Sequence, residues 1–280
     1  MKKILIALTS IICLQATAQI KMPAASPTQT LSQEFGLGKI DIVYSRPSLK
    51  GRTAFGESSL LAPNGIVWRT GANSATKVTF SDPVTIGDKT LPAGSYGLFT
   101  IPGATEWTII FNTNAKGWGS FEYKESEDVV RIKVKPETTS TSTETFTINL
   151  DNITAESAYI CLSWAKTMVC IPVKTDIKPT IRKQIAEATT GAVINPAAYQ
   201  AAANFYFDID KDYDKALVYV DKAIANNASA YWLFLLKAKA QKELGDKKGA
   251  RASAEACIKM AEAGKNADYV RSAQELIKSL

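Results

Sequence analysis

The sequence predicts an α+β chain in two segregated domains: an antiparallel β-sandwich or barrel, followed by an all-α array of helical hairpins. Three observations carry this. Across residues 35–173 short apolar runs alternate with turn residues. After Pro172 the apolar period becomes helical. The helical half then repeats itself at a fixed spacing, as units of stacked helices do.

Taken in chain order, residues 1–19 read as a signal peptide. Lys2 and Lys3 precede an apolar run over 4–14, and Ala16-Thr17-Ala18 supplies small residues for cleavage after Ala18 or Gln19. The run is too short to cross a bilayer as a helix. Cys13 follows Ile11-Ile12, not the small residue that lipid attachment needs. The expectation is an exported protein, placed in the periplasm if its host has two membranes, or secreted. No membrane span is expected downstream. Residues 20–33 lack periodicity and carry Pro, Ser and Thr, which predicts a flexible lead-in.

The β domain is expected over 34–175. Candidate strands are 40–44, 76–80, 84–86, 95–100, 107–111, 129–134, 145–150, 158–164 and 167–173. Turns at Gly87-Asp88, Pro92-Ala93-Gly94 and Pro102-Gly103 separate them, as does a threonine-rich run over 138–143. No strand alternates with a long helix here, which argues against a parallel α/β sheet. If Ala165-Lys166 is a two-residue turn, the last two strands form a hairpin with Cys161 opposite Cys170 at a non-hydrogen-bonded position, where backbones approach most closely. Export permits a disulfide there; two packed thiols are the other reading.

Residues 176–280 form the expected helical domain. A helix is predicted over 178–188, and Asn195-Pro196 combines a capping residue with proline at a first helical position. Asp212, Ala216 and Ala223 recur 34 positions later as Asp246, Ala250 and Cys257, and Asn204 falls on Ala238. Two helices per 34 residues resemble the tetratricopeptide pattern, so the array is read as TPR-like, with units at 197–229 and 230–263 and a capping helix over 267–278. Two units are few for a free-standing stack. The helix from Lys178, or the β domain, is therefore expected to cover the open end. The small residues let paired helices approach, so Cys257 reads as a packing residue. The acidic run over 208–214 lacks the central Gly and terminal Glu of a calcium loop and reads as a capped turn between helices.

Composition narrows the function classes. The 280 residues are 46% hydrophobic and 21% charged, a globular and not a disordered balance. The net charge of +6 forms no basic stripe with interleaved aromatics, which speaks against nucleic acid as partner. Histidine is absent, so the usual general base and zinc ligand are missing. No serine-hydrolase elbow, phosphate-binding loop or Cys-x-x-Cys occurs, and Gly36-x-Gly38 precedes a strand where a dinucleotide loop would follow one. No cofactor or metal is expected.

Several longer stretches resemble the DUF2911 family, bacterial proteins of unknown function. They are Phe35-Gly36-Leu37-Gly38-Lys39-Ile40, Tyr44-Ser45-Arg46-Pro47, Lys50-Gly51-Arg52 with Phe55-Gly56, and Trp68-Arg69-Thr70-Gly71-Ala72-Asn73. Further on come Leu91-Pro92-Ala93-Gly94-Ser95-Tyr96, Phe99-Thr100-Ile101-Pro102, Glu106-Trp107, Phe111-Asn112, Trp118-Gly119, Asp128 and Arg131. The likeness covers about residues 33–173 and implies an exported protein, some members carrying a similar helical tail. It implies no activity, substrate or cofactor.

The candidate site therefore rests on residue chemistry. Ser45, Arg46, Arg52, Trp68, Arg69, Thr70 and Asn73 lie on Gly- and Pro-punctuated stretches that mix guanidinium forks with small polar donors. On loops at one end of a sandwich they would form a pocket for a small anion, walled by Trp68 or Trp118. The alternative is structural: each Arg pairs with an acidic residue such as Asp41, Glu106 or Asp128 and pins a loop. Arg131 reads as a solvated strand residue. Two functions stay open. One is a non-catalytic envelope protein, binding a protein or peptide partner through 176–280. The other is a periplasmic hydrolase of glycans or small anionic metabolites, using a carboxylate such as Glu106 or Asp128 for proton transfer.

Overall fold

The computed structural model describes residues 22–190 and 195–280; the expected signal peptide at 1–19 lies outside them. Twelve strands come first. In chain order they are β1 (Thr28–Phe35), β2 (Gly38–Ser45), the two-residue β3 (Phe55–Gly56) and β4 (Ala62–Pro63), β5 (Ala72–Phe80), β6 (Val84–Ile86) and β7 (Lys89–Leu91). Then follow β8 (Gly94–Ile101), β9 (Trp107–Asn112), β10 (Asp128–Val134), β11 (Glu137–Asp151) and β12 (Ser157–Lys174). Six strands form one sheet in the order β1-β2-β5-β8-β9-β10, and four form a second in the order β11-β12-β6-β7. All pairings within these two sheets are antiparallel.

Alternation makes the sandwich. Ile40, Ile42 and Tyr44 of β2, Val78 and Phe80 of β5, and Ile109 and Phe111 of β9 sit one residue apart in pleat and share one face. They pack against Phe146 and Ile148 of β11 and Ile160, Leu162 and Trp164 of β12 in one buried cluster. Neither sheet closes on itself, so of the two expected forms the structure has the sandwich.

Two segments differ from expectation. Residues 28–33 are not a flexible lead-in: they begin β1, which pairs along its full length with β2, Thr28 opposite Ser45 and Phe35 opposite Gly38. Pairing with the neighbouring strand orders this mostly polar segment, and Leu31 adds the one apolar contact with the core. The threonine-rich run is likewise strand within β11, Thr138 opposite Thr167 and Thr143 opposite Ala165. β-branched threonine suits a pleated, half-exposed surface.

β12 doubles back on itself. Nine residues of extended strand would span about 30 Å, yet the α-carbons of Cys161 and Cys170 lie 4.0 Å apart and their sulfurs are bonded. Ala165 has φ +51°, the left-handed geometry a tight hairpin turn requires.

Six helices follow: α1 (Lys178–Thr189), α2 (Pro196–Phe205), α3 (Tyr213–Asn226), α4 (Tyr231–Glu243), α5 (Lys247–Ala263) and α6 (Ala267–Lys278). Asp212 caps α3 through Lys215 N, and Asp246, 34 positions on, caps α5 through Gly249 N. Ala216, Ala250 and Cys257 are fully buried where helices pair. A π-helical turn at Tyr206–Asp210 extends α2 without an equivalent after α4. The repeat is uneven there: Asn204 is exposed while Ala238 is buried. Ile181 and Ile185 of α1 pack on Phe205 and Tyr206, closing the end of the stack. The acidic run is the π-helical turn plus the Asp212 cap, and Asp210 pairs with Arg182 of α1. Among the described residues no buried hydrophobic cluster draws on both the strands and the helices.

Candidate functional site

The arginines and Trp68 singled out in the sequence do not converge with the rest, and only Ser45 and Asn73 meet. Arg46 is spent on β11, its Nε donating to Phe146 O at 3.0 Å and its Nη2 to Thr147 Oγ1 at 2.6 Å. Arg52 folds back on its own turn, donating to Leu49 O and Ser48 O at 2.9 and 2.8 Å. Both arginines pin loops, as the structural alternative held, but onto carbonyls and a hydroxyl instead of carboxylates. Asp41, Glu106 and Asp128 bond elsewhere, to Lys39, Lys133 and Arg131. Trp68 walls no pocket: it stacks on Trp164 at 5.7 Å in an aromatic cluster with Phe55, Trp107 and Phe146.

The stretch 68–73 is a turn bonded to itself. Trp68 Nε1 donates to Gly71 O at 3.1 Å, and Thr76 Oγ1 to Thr70 O at 2.5 Å. Thr70 is fully buried, its hydroxyl 3.1 Å from that of Thr100. Thr70 and Asn73 both hold positive φ, and a Cβ on Gly71 would sit 3.0 Å from Ser45 O, so only glycine fits this close crossing. Arg69 is the exception. Among the described residues it makes no side-chain hydrogen bond or ion pair, its Nε is buried without a partner, and burial pulls its guanidinium below the usual arginine range.

What the structure does assemble is a cavity of about 450 Å³ on the outer face of the six-stranded sheet, away from the core. Thr28 of β1, Ser45 of β2, Asn73 and Lys77 of β5, and Lys116 and Trp118 of the β9–β10 connection line it. Asn73 Nδ2 donates to Ser45 Oγ at 3.1 Å, tying the end of β2 to the start of β5 at its edge. Ser45, Asn73 and Trp118 were foreseen. Lys77 and Lys116 were not: a lysine on a strand and one in a Gly-rich loop show in sequence only as surface charge. None of the lining residues is Asp or Glu. Among the described residues neither lysine has an acidic partner, so the cavity carries uncompensated positive charge.

The connection over 113–127 is held rigidly. Ala75 N donates to Gly117 O at 3.0 Å and Gly119 N to Asn73 O at 2.9 Å, which extends the ladder of β5 to Trp118, paired with Ser74. At its base, fully buried Asn112 donates to Asp128 Oδ1 and Lys124 O. Asp128 Oδ2 accepts from Tyr123 at 2.7 Å and from Arg131 at 2.9 Å. That carboxylate and burial push the Tyr123 phenol well above its ordinary range, so it stays a donor. Arg131 is an exposed residue of β10, as expected, and in addition its guanidinium clamps this loop. Gly119 has φ +69°, and a Cβ there would meet Phe121 at 2.9 Å and Arg69 Nη1 at 3.1 Å. Trp118, which lines the cavity, is 60% exposed, and Phe121 on the same loop is 87% exposed.

In the helical part, Gln200 of α2, Trp232, Leu236 and Lys239 of α4 and Tyr269 of α6 line a groove of about 270 Å³, with Trp232 Nε1 donating to Gln200 Oε1 at 3.1 Å. No helix among the described residues is long and apolar enough to cross a membrane.

Comparisons with known proteins place this site in context. A family model described as a protein of unknown function (DUF2911) matches residues 26–173, which include every residue lining the cavity. No curated protein matches the chain. The solution structure of a structural-genomics target protein from Bordetella parapertussis aligns with 38% of this chain and 87% of its own, at 18% identity and a TM-score of 0.32.

Proposed function

Because this chain belongs to the DUF2911 family, which brings no activity with it, we propose a function from its own residues: a non-catalytic, exported binding protein. Its β part takes a small anionic ligand and its helical part docks a protein or peptide. The observation that carries the first half is the cavity lined by Trp118, Lys77 and Lys116 together with hydroxyl and amide groups, with no carboxylate on the lining. Its volume lies within the roughly 300–1,000 Å³ usual for small-molecule sites. A glycan hydrolase working through a carboxylate pair would need an acid–base carboxylate at the substrate, and this lining offers none. The cavity therefore favours binding over that mechanism. Export rests on the leader at 1–19. Docking of a protein rests on the groove shared by α2, α4 and α6.

The test is a thermal-shift titration of the mature chain with phosphate, citrate and acetate at constant ionic strength. The reading expects at least one anion to raise Tm, and K77M with K116M to abolish the rise while leaving the unliganded Tm within a few degrees. Equal responses in both proteins would remove the cavity from the account.

A further inference from the structure

The cavity's walls say more than its charge. Building on the anion-binding reading, we infer that the ligand is an acidic saccharide, its ring lying on Trp118 and its carboxylate or phosphate between Lys77 and Lys116.

Three features select this class. The first is the indole. A tryptophan 60% exposed is the costly exception among aromatic side chains, and here the backbone holds it out: Gly117 O and Gly119 N on either side are bonded to β5, and the loop beneath is clamped by Asn112 and Asp128. A fixed, flat, apolar face asks for a flat apolar partner, which the C–H face of a pyranose supplies. The second is the unspent hydrogen bonding. Asn73 donates through Nδ2 to Ser26 O and Ser45 Oγ, while its Oδ1, like the Ser74 hydroxyl, has no partner among the described residues. Thr28 and Ser45 hydroxyls meet only weakly, at 3.4 Å. Groups that both donate and accept match ligand hydroxyls, which do the same. The third is the pair of unpaired lysines, which requires the hydroxyl-rich ligand to be anionic. An inorganic anion would leave the indole unused. A planar aromatic anion would leave the hydroxyl and amide groups unmatched.

Isothermal titration calorimetry on the mature chain tests this with digalacturonic acid, glucose 1-phosphate, maltose, inorganic phosphate and benzoate. The inference expects one or both acidic saccharides to bind at least tenfold tighter than maltose, phosphate or benzoate, the pair itself separating a carboxylate from a phosphate source. W118A should weaken that binding at least tenfold at unchanged Tm, and K77M should bring the acidic saccharide down to the level of maltose. If phosphate or benzoate binds as tightly and W118A changes nothing, the saccharide inference falls while the anion site stands. If none of the five binds, the saccharide inference falls, and the anion reading falls with it when citrate and acetate also leave Tm unmoved.

Discussion

Arg46 and Arg69 look alike in sequence, each followed by a small or rigid residue in a loop, yet the structure spends one and leaves the other. Arg46 holds β11 by two charge-assisted bonds, so Arg46→Met should destabilise the chain by about 1–3 kcal/mol. Arg69 carries a buried, unpartnered Nε, so Arg69→Met should leave Tm unchanged or raise it. Denaturant melts of the two variants side by side check this, and a large loss in Arg69→Met would reveal a partner for it. Sequence could mark both as arginines on loops but not tell them apart. The acceptors of Arg46 are about a hundred positions away, and a carbonyl has no signature in the residue type that bears it. Asp212 was more legible, because a cap is local. Its carboxyl accepts from Lys215 and is held below its ordinary range by that bond, so its contribution to stability is present above about pH 4 and is lost as pH falls through the lowered value. Asp212→Ala should cost about 1 kcal/mol at pH 7 and progressively less in acid; chemical denaturation at pH 7 and pH 3 measures the difference.

At the scale of elements, the hairpin inside β12 was readable from alternation and a two-residue turn. Register then set Cys161 beside Cys170. Alkylation without reductant should label neither of these thiols, and Cys257, fully buried between helices, only after denaturation. Replacing both hairpin cysteines by Ala should lower stability by about 2–3 kcal/mol. Mass spectrometry showing both hairpin thiols labelled in the native chain would remove the bond from the account. β1 escaped the sequence reading because only Leu31 and Phe35 mark its inner face, between the polar Gln29 and Gln33, and pairing with β2 completes the strand. The same holds for the threonine run in β11. Alternation reveals strands with one face buried; a strand at a sheet's polar edge has no such mark. The loop bearing Trp118 lay hidden for another reason. Its order comes from Asn112, Tyr123, Asp128 and Arg131, spread over two strands and a connection, and no spacing of these residues points to a clamp.

Over the whole molecule, two rhythms give two sets of cores, and the change between them at 174–178 was plain from composition and period. The candidate cavity was only half legible. Ser45, Asn73 and Trp118 line it, while Lys77 and Lys116 reach it through β-sheet order and a loop excursion that residue types do not encode. If the outer face of the six-stranded sheet recognises the ligand, hydrogen exchange on the full chain with a saturating acidic saccharide should slow at 73–77 and 115–119 relative to the free chain, with the helices unchanged. Protection centred on the Arg46 and Arg52 loops, in the helical groove at Trp232, or nowhere would place recognition elsewhere.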